Sequence, residues 1–133
     1  MTPFTLHPQL QADCHPLGRL SHSHLLLHRN AAVPWFILVP ETTLTNLLDL
    51  PTTQRDGVLA DAKRVSDYLT QTLGCPKINV AWLGNLVPQL HVHVIGRHPG
   101  DPCWPRPVWG HLEVFQPYPP EEVAAIRAGL LPP

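Results

Sequence analysis

The segment Gln89-Leu90-His91-Val92-His93-Val94-Ile95 constrains this chain more than any other. Polar and apolar residues alternate strictly through Val94, the period of a half-buried β-strand. Leu90, Val92 and Val94 are expected on one face, and Gln89, His91 and His93 on the other. A strand of this kind aims two imidazoles and an amide in one direction. Neutral imidazole is both a nucleophile and a proton carrier near neutral pH, and the amide donates and accepts hydrogen bonds. The combination suits chemistry at an electrophilic centre, phosphorus foremost.

The 133 residues predict one domain, 1–133. A chain of this size hides roughly two-thirds of its extended surface on folding. Apolar residues make up 44%, which fits a packed core and argues against disorder. The net charge of −1 leaves no basic stripe for long nucleic acid, so any bound phosphate is expected to be one small ligand met by local groups. Cys14, Cys75 and Cys103 are far apart and form no C-x-x-C pair, which argues against a structural zinc site or a disulfide scaffold. Free thiols in a reducing cytosol are the expectation. The N-terminus has no charged, apolar leader pattern, and no stretch is long enough to span a bilayer.

Residues 6–13 are expected to form a short helix, and His15-Pro16-Leu17-Gly18 a turn. Residues 19–29 and 35–39 read as two strands of a hairpin. Residues 53–73 carry the clearest helix, with Val58, Ala62, Val65, Leu69 and Leu73 in one apolar stripe. Thr53 is its expected N-cap, Gly74 its C′ residue, and Pro76 blocks continuation. Residues 77–83 read as a strand and Gly84-Asn85 as a turn before the central strand. The stretch 98–110 holds four prolines and two tryptophans, so an ordered loop is expected. Trp104 and Trp109 read as packing residues, with stacking on a nucleobase as the sharper reading. Pro120 opens a terminal helix through Leu130. The order of elements predicts an α+β fold with an antiparallel sheet of about five strands, one long helix and short terminal helices.

With these residues in place, the chain resembles the histidine-triad (HIT) family. Its motif runs His-φ-His-φ-His-φ-φ, and Gln89 stands where the first histidine belongs. Pro34-Trp35-Phe36-Ile37-Leu38-Val39-Pro40 resembles the family's Pro-x-x-x-(Ile/Leu)-Val-Pro strand, and the long helix between the two segments also fits. The proline-rich segment 101–110 resembles a bacterial branch of small HIT-like proteins. The resemblance implies a nucleotide hydrolase or transferase acting on the α-phosphate of a nucleoside phosphate, such as a dinucleoside polyphosphate or nucleoside phosphoramidate. His91 would be the nucleophile that forms a covalent nucleotidyl-histidine, and His93 would orient and polarise the site. Asn79, Gly84, Asn85 and Arg97 would bind nucleotide or phosphate. His28, Arg29 or Asn30 would fall near a ribose contact, with Asn30 the chosen candidate. Phe36 would stand where several relatives have a histidine, and Leu86 where some have a phosphate-contacting Ser or Thr. The resemblance further implies a cytoplasmic homodimer with a nucleotide substrate and no cofactor or membrane partner.

The departure at Gln89 divides the functional readings. Glutamine hydrogen-bonds but does not titrate near neutral pH. If the first position orients the site, it substitutes for histidine; if it carries a proton, turnover falls and the chain becomes a nucleotide-binding module. On this reading His93 is the only titratable partner on the strand face for a departing group. A metal protein is a third possibility, because H-x-H on a strand occurs in metal sites, although no further ligand follows closely. Ser21-His22-Ser23-His24 also alternates and is expected to be an exposed strand face.

Overall fold

A computed structural model describes residues 3–132. In chain order the elements are α1 (Pro8–Asp13), β1 (Cys14–Arg19), β2 (His24–His28), β3 (Trp35–Val39), α2 (Thr52–Asp67), β4 (Lys77–Ala81), β5 (Val92–Arg97) and α3 (Pro120–Leu130). The strands form one five-stranded sheet in the order β1-β2-β3-β5-β4, antiparallel throughout. This is the α+β architecture that the order of elements predicts.

Both faces of the sheet are covered. On one face Leu25, Leu27, Phe36, Leu38, Val92 and Val94 pack against Val58, Ala62, Val65 and Leu69 of the long helix, and against Ile126 and Leu130 of α3. On the other face Leu26, Trp35, Ile37, Val39 and Ile95 pack against Leu10, Cys14, Cys103 and Val108. Burial on both sides explains why β3 reads as an unbroken apolar run rather than an alternating one.

Several local expectations are corrected. His15-Pro16-Leu17-Gly18 is not a turn but part of β1. This is an edge strand, where a missing ladder N–H is tolerated, and its register shifts between Pro16 and Gly18. Thr53 is not the N-cap of α2; Pro51 holds that position and makes no side-chain cap. The helix continues beyond Asp67 as a π-helical turn, Tyr68–Thr72. That wider turn lags the α rotation and carries Leu73 off the apolar stripe, so Leu73 is exposed while Leu69 is buried. Gly74 does end the segment, with φ +72°. Ser21-His22-Ser23 bends between β1 and β2 rather than forming a strand; Ser23 is buried, and the His22 backbone N–H donates to Asp61. All three cysteines are free and buried, and burial pushes each thiol up from its ordinary pKa. Among the described residues no helix is long and apolar enough to cross a membrane.

Candidate active site

A cavity of about 620 Å³ opens on the sheet face opposite α2. His93, Trp35, Ile37 and His28 form its floor, from strands β5, β3 and β2. One wall is α1 with the residue before it, presenting His7, Leu10 and Asp13. The facing wall is the β4–β5 loop, with Gly84, Asn85 and Val87. Trp109 reaches in from the loop after β5. Among the described residues no Lys or Arg lines the cavity, so a phosphate there would be met by neutral donors.

The predicted alternation positions the two histidines. Leu90, Val92 and Val94 enter the core beneath α2, while His91 and His93 take the opposite side. Both imidazoles are buried, at 6% and 5% exposure. Their rings stand edge to face with centroids 4.9 Å apart.

Hydrogen-bond partners assign the tautomers. Nδ1 of His91 lies 2.7 Å from the carbonyl oxygen of Gln89. A carbonyl only accepts, so that Nδ1 carries the proton and Nε2 keeps its lone pair. Nδ1 of His93 is 3.0 Å from the indole Nε1 of Trp35. An indole N–H only donates, so this Nδ1 is unprotonated and the His93 proton sits on Nε2. Trp35 reaches His93 diagonally: it pairs with Ile95, while Ile37 lies opposite His93. Trp109 stands edge-on to both His93 (4.9 Å) and Trp35 (5.8 Å), and His28 stacks on Trp35 at 4.2 Å.

Burial holds both imidazoles neutral. The pKa of His93 falls to about 3, chiefly by desolvation, then by His91 and His28. The pKa of His91 is also lowered by desolvation; the Gln89 carbonyl opposes this in part, and His7 adds to it. Neutrality works against the expectation that His93 supplies a proton to a departing group. The geometry leaves it an Nε2–H donor, because its second nitrogen is already occupied by Trp35.

The remaining predicted site residues divide. Gly84 and Asn85 do line the cavity, and Gly84 has φ +72°, a conformation that suits glycine in a tight loop. Gln89 does not line it. Regular strand pairing begins only at Val92, and the Gln89 amide turns to the N-terminal segment, where Oε1 accepts from the His7 backbone N–H (2.7 Å) and Nε2 donates to the Thr5 carbonyl (2.9 Å). Arg97 shares the His93 face but lies beyond Ile95, outside the cavity. It is 1% exposed; it donates to Asp101 at 2.7 and 3.1 Å, to the Arg106 carbonyl at 2.8 Å and to Asn79 Oδ1 at 3.1 Å. Arg97 and Asn79 therefore anchor the 98–110 loop rather than meet a ligand. Burial pushes the Asp101 carboxyl up, but Arg97 and the backbone N–H groups of His98 and Cys103 more than offset this, leaving its pKa below the ordinary value.

Asn30 is buried and holds the C-terminal segment: Nδ2 donates to the Val114 carbonyl and Oδ1 accepts from the Ala32 and Gln116 N–H groups. Of the three residues near the expected ribose contact, His28 is the one that lines the cavity. Phe36 is fully buried beneath α2 and faces away from the site; its neighbour Trp35 stands beside His93. Leu86 is at the cavity mouth, 95% exposed.

Trp35 and His7 are the functional candidates that sequence reasoning missed. Strand alternation holds the signal for Trp35, because it must share a face with Ile37, the residue paired with His93. Nothing in the local sequence ties His7 to residue 89. A second cavity, about 520 Å³, lies between Ser21-His22 and α2, but its arginines are engaged: Arg19 with Glu41, and Arg64 with the Gly129 and Leu130 carbonyls. Among the described residues no three His, Cys, Asp or Glu side chains are grouped to hold a metal ion.

A five-stranded antiparallel sheet backed by a long helix, with two buried histidines on the opposite face, defines a small α+β scaffold with its cavity on the side away from the helix. The HIT domain profile matches residues 9–100. A histidine triad protein from Bradyrhizobium japonicum is 39% identical, with TM-score 0.88 over 95% of this chain and 94% of that one. One from Marinobacter aquaeolei VT8 is 41% identical, with TM-score 0.87 over 96% and 93%. A third, from Sinorhizobium meliloti 1021, is 38% identical, with TM-score 0.89 over 96% and 94%. The chain belongs to the HIT family, whose members are in general nucleotide hydrolases or transferases. No curated protein matches it.

Proposed function

We propose that the chain is a nucleotidyl hydrolase or transferase in which Nε2 of His91 attacks the α-phosphate of a nucleoside phosphate. The observation that carries this reading is the opposite tautomers of the two histidines. His91 offers a lone pair, and His93 beside it offers a proton donor that can hold a non-bridging oxygen. An N–P bond forms at Nε2 as the P–O bond to the leaving group breaks, with the electron pair going to that oxygen. The positive charge on the nucleotidyl-imidazole is shared with the Gln89 carbonyl through Nδ1–H. Water or another acceptor then attacks phosphorus, its proton passing to solvent, and the N–P electron pair returns to Nε2.

The same geometry favours a phosphoanhydride over a phosphoramidate. A polyphosphate leaves as an anion and needs no proton, whereas an amine leaving group does. His93 is held neutral with Nδ1 occupied, so it is poorly placed to give one. Gln89 stands at the first triad position in this reading and acts through its contacts rather than by titrating. The reading extends to a cytoplasmic homodimer; light scattering tests the dimer and fractionation of cells the location. For the activity, the chain is incubated with a dinucleoside polyphosphate and, separately, with a nucleoside phosphoramidate. Cleavage of the anhydride at the higher kcat/KM supports the reading, and equal or preferred cleavage of the phosphoramidate counts against the leaving-group argument.

A further inference from the structure

The Gln89 side chain makes two hydrogen bonds that have no place in phosphorus chemistry. Its amide spans the backbone of residues 5–7, donating to the Thr5 carbonyl and accepting from the His7 N–H, much as a neighbouring strand would. These contacts join positions 82 and 84 residues apart in sequence. They fasten the N-terminal segment beside the strand that carries His91 and His93. His7 is the residue so placed, and its side chain lines the same cavity.

The His7 imidazole is also oriented. Its Nδ1 accepts the Gln9 backbone N–H at 3.0 Å, as the N-cap of α1. With Nδ1 accepting, the neutral ring carries its proton on Nε2. His7, whose side chain lines the cavity, thus carries an Nε2–H donor, as His93 does, and among the described residues no Lys or Arg lines that cavity.

We propose that His7 is a phosphate-contacting residue of this site, and that Gln89 is a positioning residue that acts by fastening His7 there. The assignment rests on the nucleotide reading above. It gives the altered first triad position a physical role: the amide holds an imidazole from another part of the chain beside the site.

Two substitutions separate contact from cap. Asparagine is a strong N-cap, so His7→Asn keeps the α1 cap and removes the reaching Nε2–H. Gln89→Ala removes both anchoring bonds. Binding of AMP and of adenosine is followed by tryptophan fluorescence for wild type, H7N, Q89A and the double variant. His7→Asn is expected to weaken AMP about 10-fold, as loss of a hydrogen bond to a charged group does, and to leave adenosine unchanged. Gln89→Ala is expected to weaken AMP similarly, and the double variant to be no weaker than the weaker single one. AMP affinity unchanged in H7N, equal losses for AMP and adenosine, or multiplying losses in the double variant would each overturn the proposal, as would a wild-type chain that binds no AMP. The expected AMP pattern without any nucleotidyl-histidine would support this assignment and remove the catalytic reading. Normal turnover with multiplying losses would do the reverse.

Discussion

The indole N–H of Trp35 donates to Nδ1 of His93 across 3.0 Å, inside the sheet face that carries the site. A donor-only partner leaves His93 one neutral tautomer, with its proton on Nε2. Trp35→Phe keeps most of the ring volume and removes the N–H. The buried Nδ1 then loses its partner, at a cost of about 1–3 kcal/mol, and the tautomer is no longer imposed. The expected outcome is a roughly 10-fold lower kcat with little change in KM. Imidazole nitrogen NMR of His93 should change from a pure Nε2–H pattern to a mixture. A variant whose His93 keeps the wild-type nitrogen shifts would remove Trp35 from this role.

Acid should destabilise the fold through the same residue. Burial lowers the His93 pKa from an ordinary 6.5 to about 3, so between those values the unfolded chain binds more protons than the folded one. Stability therefore rises with pH across that window: it is fully present above 6.5 and lost as pH falls toward 3. The His91 pKa is shifted in the same direction and adds to the slope. Denaturant unfolding at about pH 7, 5 and 4 should show a loss on the order of a few kcal/mol, with a shallower slope in His93→Gln. Activity should hold to pH values below 6.5, because His91 stays neutral there. A rate that already falls as pH drops through 6.5 would contradict the lowered His91 pKa.

The Arg97–Asp101 pair is a structural anchor, and its mutants should behave as such. Either Arg97→Met or Asp101→Leu leaves one buried charge unpaired, and each should cost about 3–5 kcal/mol of stability. The double variant should be less destabilised than the sum of the two, because it buries no lone charge. Because Arg97 also touches Cys103 Sγ (3.5 Å) and the Arg106 carbonyl, the single variants should expose the Cys103 thiol to labelling. Strictly additive losses, or an unreactive Cys103, would show that the loop does not depend on this pair.

The face assignment of the central strand was legible because alternation needs only local periodicity: Val92 and Val94 go under α2, and His91 and His93 go opposite. The long helix was legible for the same reason, and the terminal helix from the proline and acidic residues that open it. β1 was not, because Pro16 and Gly18 are local turn signals, and only edge position and a register shift make them compatible with a strand. Arg97, Asn79 and Asn30 resembled ligand contacts in type and position, but their partners lie in distant loops that no local pattern reveals. The link from Gln89 to His7 crosses 82 residues and was invisible for that reason.

Covalent nucleotidylation of His91 at Nε2 is open to direct measurement. Wild type and His91→Ala are mixed with a dinucleoside polyphosphate, quenched in base to preserve the acid-labile N–P bond, digested and mapped by mass spectrometry. A nucleotidyl group is expected on His91 in wild type and on no residue of the variant, with a fall in turnover on the order of 10³-fold or more. A nucleotidyl group on another residue, or undiminished turnover by His91→Ala, would contradict it.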